Sequence, residues 1–126
     1  MKYCIKILSL SFLLLFVLSC GNRVEIAGRY EGVLKTTRNT RQVITNKCIV
    51  IVNDDTSMNI DIQGDNIYKG KVSISKEELT KIDDNSYIAN KDGKQYTVVF
   101  HSGYMVLTIN NTDYTTSKGE LSKIGK

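Results

Sequence analysis

Few residues in this 126-residue chain have the type and spacing to do chemistry. His101 is the only histidine, and it borders a Ser102-Gly103 turn signal. No serine or cysteine is tied to it by a recognisable spacing. A general base must first have a positioned partner, so His101 reads as a solvated strand-end side chain and no catalytic residue is assigned. A zinc site needs about four nitrogen or sulfur ligands, and beyond residue 20 only His101 and Cys48 remain. The acidic pairs Asp54-Asp55, Glu77-Glu78 and Asp83-Asp84 lack the alternating spacing of a calcium loop. They read as turn chemistry, so no metal ligand and no cofactor is assigned. Cys48 has only Lys47 as a basic neighbour to lower its pKa, and it reads as a buried, inert thiol.

Binding chemistry has two candidates. Lys35, Arg38, Arg41 and Lys47 surround a threonine-rich stretch, residues 36–40, which reads either as a solvated hairpin loop or as a contact for anionic headgroups or glycans. The tyrosines are the second candidate. Strand parity places Tyr30, Tyr68, Tyr87, Tyr96 and Tyr114, five of the seven, on the inward face. Buried tyrosine hydroxyls need partners. They either reach solvent at the ends of the fold or line a pocket for a small hydrophobic or amphipathic ligand. No charged residue falls on that face, so a ligand would be neutral or would leave its charged end at the rim.

The elements that must position these residues are strands. There is no proline, and no amphipathic helical pattern follows residue 20. Turn-forming clusters recur about every 8–12 residues, as in all-β sandwiches and barrels. Asp92-Gly93 is a two-residue hairpin signal; it sets Ala89 opposite Tyr96 and Tyr87 opposite Val98. Ser102-Gly103 independently pairs Phe100 with Met105, Val98 with Leu107 and Tyr96 with Ile109. Both registers put Tyr96, Val98 and Phe100 on one apolar face, and a one-residue slip would turn them all outward. The meander is expected over 87–89, 95–101 and 104–109. Alternation adds Leu34, Met58, Ile60, Ile62, Val72 and Ile74 to the inward set. Ser75 and Glu78 match a capping box, so 76–80 reads as one helical turn, with 79–82 as a short strand the alternative. Residues 44–52 are apolar on both faces, and periodicity does not choose a side. The fold class is all-β, an up-and-down meander of eight or nine strands closed into a barrel, which removes exposed edges.

The N-terminus carries a different pattern. A start with Lys2 and Lys6 leads into an apolar run over 7–18, too short to span a bilayer at about 20 residues and fitting the middle of a secretory signal. Val17-Leu18-Ser19-Cys20 then resembles a bacterial lipobox, in which the cysteine is acylated after cleavage. The resemblance implies a signal peptide over 1–19, a lipidated linker over 20–27 and a domain over 28–126, held in the cell envelope on its membrane through Cys20 and facing periplasm or exterior. Several acyl chains hold stably where one holds weakly. Cleavage leaves 107 residues, enough for one modest core. Losing Lys2 and Lys6 leaves 15 basic against 13 acidic residues, a formal +2, which points to no nucleic acid.

Gly28-Arg29-Tyr30 at the head of the first strand resembles the opening of lipocalin-like (calycin) barrels. There a glycine, a variable residue and an aromatic begin the strand, and the aromatic plugs the closed end. The resemblance implies an eight- or nine-stranded binding barrel with Tyr30 as plug. Tyr30 stands where tryptophan is usual, and Thr112-Asp113-Tyr114 falls in the expected last strand. The function expected is non-enzymatic binding of a small hydrophobic or amphipathic ligand. The alternative is a protein-binding module, such as a lysozyme inhibitor or a subunit of an envelope complex. An apolar stripe outside 44–52 would favour a complex subunit.

Overall fold

The computed structural model describes residues 25–125. The expected signal peptide and Cys20 lie outside the described residues. Nine strands form: β1 (Gly28–Arg38), β2 (Arg41–Val52), β3 (Met58–Ile62), β4 (Gly70–Ile74), β5 (Thr80–Asp83), β6 (Ser86–Lys91), β7 (Lys94–His101), β8 (Tyr104–Asn110) and β9 (Thr116–Gly125). They make one antiparallel sheet in the order β4-β3-β2-β1-β9-β8-β7-β6-β5, a meander curled into a half-barrel.

Both hairpin registers are as the turns dictate. Ala89 pairs with Tyr96 and Tyr87 with Val98; Phe100 pairs with Met105, Val98 with Leu107 and Tyr96 with Ile109. Asp92 at φ 54° and Gly93 at φ 78° supply the left-handed pair that such a turn needs. The first and last strands also pair, Gly32 opposite Leu121 and Lys35 opposite Lys118. That seam depends on small residues. A Cβ on Gly119 would lie 2.1 Å from the Val33 carbonyl oxygen, and one on Gly32 would lie 2.3 Å from that of Glu120.

The expected ring of continuous ladders does not form. β4 and β5 are the two ends of the sheet. Alternation along the sheet makes them run in the same direction. A parallel neighbour needs a crossover of about a dozen residues, but only residues 75–79 separate them, so β5 carries on from β4 without lying beside it. The interruption is a single 3-10 turn, Lys76–Glu78. The Glu78 carboxylate accepts from the Ser75 backbone N–H at 2.9 Å and from its hydroxyl at 3.1 Å. Both a helical turn and a short strand are therefore present, one after the other. The Lys91 ammonium bonds the Ser73 carbonyl and pairs with Glu78 at 3.0 Å, tying β6 to this junction.

The inward face is filled by side chains. Tyr30, Leu34, Met58, Ile60, Ile74, Val98, Phe100, Met105, Leu107 and Ile109 are buried in one cluster, with Ile62, Val72 and Tyr87 packed against it. Each large side chain taken from water contributes roughly 1.5–3 kcal/mol. β2 resolves its ambiguity by burying Cys48, Val50 and Val52, leaving Val43 and Ile51 exposed. Tyr30 is fully buried; its hydroxyl donates to the Ile26 carbonyl at 2.7 Å, and its ring lies 5.9 Å from that of Phe100.

Two expectations are corrected. Tyr114 does not face inward: it is 94 % exposed. The Asp113 carboxylate accepts from the Thr115 backbone N–H and hydroxyl, and Asn111 N–H bonds the Thr115 carbonyl at 2.9 Å. The turn therefore runs on to Thr115, and β9 begins only at Thr116, so residues 112–114 are turn and not strand. The threonine-rich stretch is likewise mostly strand. Only Asn39 and Thr40 turn, at φ 51° and 67°, and Thr36 is buried on the inner face.

Candidate functional site

The end of the half-barrel opposite the entry of the chain gathers most of the sequence-derived candidates. It is formed by the β1–β2, β3–β4, β6–β7 and β8–β9 turns. Asp113 ties three of them together. Its Oδ2 accepts from the Tyr68 hydroxyl at 2.8 Å, and its backbone carbonyl accepts from Arg38 Nη2 at 3.2 Å. Bonds from the Thr115 hydroxyl and then from Tyr68 hold the Asp113 carboxyl below the usual carboxylate range. Arg38, Arg41 and Tyr114 stand exposed on this rim. Lys35 and Lys47 are also exposed, but they lie down the outer faces of β1 and β2, Lys47 opposite Val33. The structure thus splits the basic cluster into two rim arginines and two strand lysines.

Beneath the rim lies a polar layer that sequence parity passed over. Thr36, Asn46, Thr115 and Ser117 are buried. Thr36 and Ser117 hydroxyls are 2.6 Å apart across the β1–β9 seam. Asn111 Nδ2 donates to Thr115 at 3.1 Å and to Ser117 at 3.0 Å. Asn46 Nδ2 donates to the Gln63 carbonyl at 2.8 Å and to Asn66 Oδ1 at 3.1 Å, while Asn46 Oδ1 has no partner among the described residues. Polar residues at inward strand positions close to a turn were the available signal, because a barrel end admits what its middle excludes.

Of the five tyrosines, Tyr68 and Tyr96 come together. They line a small pocket of about 130 Å³ between β4 and the β6–β7 hairpin, together with the apolar Ile62 and Val72 and the charged Lys69, Lys71, Lys94 and Asp92. Tyr30 is at the other end, Tyr87 packs 6.0 Å from Phe100 in the core, and Tyr114 is on the rim. Burial, with Asp92 as a like charge, pushes the Tyr96 hydroxyl above its ordinary pKa. A wider open groove of about 610 Å³ lies at the entry end, lined by Ala27, Gly28, Arg29, Ile51, Val52, Asn53 and Asp54. It is larger, but it gathers none of the candidates.

His101 stacks on Tyr104 with ring centroids 4.6 Å apart, on an exposed strand end. Burial pushes the Cys48 thiol up to about 12, with Asp61 adding to the shift. The two therefore do not form a pair. Among the described residues no group of three or more His, Cys, Asp and Glu side chains gathers to hold a metal ion. Comparison with protein families, with curated proteins and with solved structures finds no match to this chain.

Proposed function

We propose that this chain is a lipid-anchored, non-enzymatic protein of the bacterial cell envelope, whose lipocalin-like domain binds at the end facing away from its anchor. The observation that carries the reading is the placement of the two ends. β1 leaves the entry end at Gly28 and reaches the rim at Arg38, a path of about 32–34 Å at strand rise. Lipid on Cys20 would therefore hold the entry end near the membrane. Arg38, Arg41 and Tyr114 would then face outward. Tyrosine and arginine are among the residue types enriched at the anchoring positions of binding interfaces. The pairing of β1 with β9, and the continuation of β4 into β5, support reading the domain as a barrel of the lipocalin-like type. Its filled interior moves binding from the middle to the rim.

The anchor is tested in a bacterial host by radiolabelled palmitate and fractionation. The full chain should be labelled and sediment with membranes. Cys20→Ala should be unlabelled and either soluble or unprocessed. An unlabelled wild-type chain, or equal labelling of the variant, overturns the anchor.

A second reading, a subunit of an envelope complex, is favoured by Val33, Val43 and Ile51, which stand 49 %, 50 % and 42 % exposed on the outer faces of β1 and β2. The stripe is interrupted. Lys47 lies opposite Val33, and Ile51 lies opposite Arg29, which pairs with Glu31 at 2.9 Å. The rim is the better-built surface.

A further inference from the structure

The pocket between β4 and the β6–β7 hairpin has a feature that the packed interior lacks. Tyr96 is only 5 % exposed and lines the pocket, yet its hydroxyl has no hydrogen-bond partner among the described residues. Among the described residues the buried unpartnered side-chain atom is Asn46 Oδ1, so the Tyr96 hydroxyl is within reach of solvent and able to donate to a ligand. The neighbouring Tyr68 hydroxyl already donates to Asp113, but it keeps its capacity to accept. Ile62 and Val72 supply apolar lining. Lys69, Lys71 and Lys94 also line the pocket, and among the described residues none of the three has a carboxylate within salt-bridge distance. Asp92 is the one acid in the lining, so three positive groups face one negative group.

We propose that this pocket binds a small organic carboxylate, with the carboxylate among the lysines accepting a hydrogen bond from Tyr96 and a short apolar body against Ile62 and Val72. The volume sets the size. At about 30 Å³ per water, 130 Å³ holds roughly four water-sized groups. A three- or four-carbon acid fits, and a long-chain fatty acid does not. The charge sets the sign. A carboxylate among unpaired ammonium groups in a partly exposed pocket gains charge-assisted hydrogen bonds without the cost of deep burial. Asp92 opposes it, so the pocket is tuned for weak, reversible capture. This deepens the reading of this end as the binding end, and it holds irrespective of the lipid on Cys20.

The test is a titration of the full-length chain in detergent, followed by tyrosine and backbone NMR shifts, with butyrate, butyramide and inorganic phosphate as probes. Butyrate should bind saturably, with shifts on Tyr96, Val72 and the β6–β7 hairpin. Butyramide and phosphate should each bind at least tenfold more weakly, the first lacking the charge and the second the apolar body. Tyr96→Phe keeps the ring in place and should weaken butyrate about tenfold, while Asp92→Asn should tighten it severalfold. Equal binding of butyramide overturns the charge assignment, and equal binding of phosphate overturns the apolar one. An unchanged affinity in a folded Tyr96→Phe protein overturns the site. Saturable butyrate shifts confined to the entry end would overturn the reading of the rim as well. No saturable butyrate binding overturns the pocket alone.

Discussion

The Cys48 thiol is fully buried on the inner face of β2, and burial, reinforced by Asp61, holds its pKa at about 12 against an ordinary value of 9.0. The sign of its effect on stability follows. Above pH 9 the unfolded chain ionises this thiol while the folded chain keeps it neutral. The unfolded state then binds fewer protons, and stability falls with rising pH by at most about 1.4 kcal/mol per pH unit until about pH 12. Tyr30 and Tyr96, both raised by burial, add the same sign above pH 10. Urea midpoints measured between pH 8 and 10.5 should fall more steeply for the wild-type chain than for Cys48→Ala. Parallel slopes would show that the thiol is not desolvated. The sequence hinted at this burial because free cysteines are among the most buried residue types, but it did not show on which face of β2 the thiol lies. Tyr114 shows the opposite error. Parity counted it into a strand, because the reach of the Asp113 carboxylate to Thr115 is a side-chain event that strand alternation does not record.

Strands that follow tight turns were the most legible elements. Asp92-Gly93 and Ser102-Gly103 specify backbone geometry and therefore register, and β6, β7 and β8 pair accordingly. The β4–β5 junction was less legible. Its capping residues were visible, but whether a helical turn or a strand follows depends on which neighbours remain for pairing. β4 has only β3 and β5 has only β6. Both are short, and the ends of a sheet need protection from further pairing. Lys91 supplies it by occupying the Ser73 carbonyl and Glu78 together. Lys91→Ala should leave the rest of the sheet intact and loosen this junction. Amide exchange should accelerate severalfold in β4, the 3-10 turn and β5, and stay unchanged in β7, β8 and β9, because local openings need not involve the global unit. Uniform acceleration across all nine strands would mean that the junction is part of the cooperative core.

At the scale of the whole molecule, the question is whether the half-barrel is a container. A drug-sized ligand needs a cavity of about 300–1,000 Å³, whereas the pocket beside Tyr96 offers about 130 Å³. The middle is occupied by Leu34, Met58, Ile60, Val98, Phe100, Met105, Leu107 and Ile109, each at most 1 % exposed. Composition and parity could place these side chains inward, but they could not show that the side chains meet. Filling depends on how far the sheet curls, which side-chain alternation does not encode. Two measurements follow from a filled middle. Native mass spectrometry of the full chain gently extracted from its host should show no stoichiometric, non-covalently held long-chain fatty acid. A retained fatty-acid adduct would show that the interior opens. Phe100 packs between Tyr30 and Tyr87, so Phe100→Ala removes the ring that joins the two. It should cost about 3–5 kcal/mol in urea unfolding, since large rings on two sides limit how far the site can collapse. A loss below about 1 kcal/mol would place Phe100 beside a space already present, and would return the interior to consideration as a ligand site.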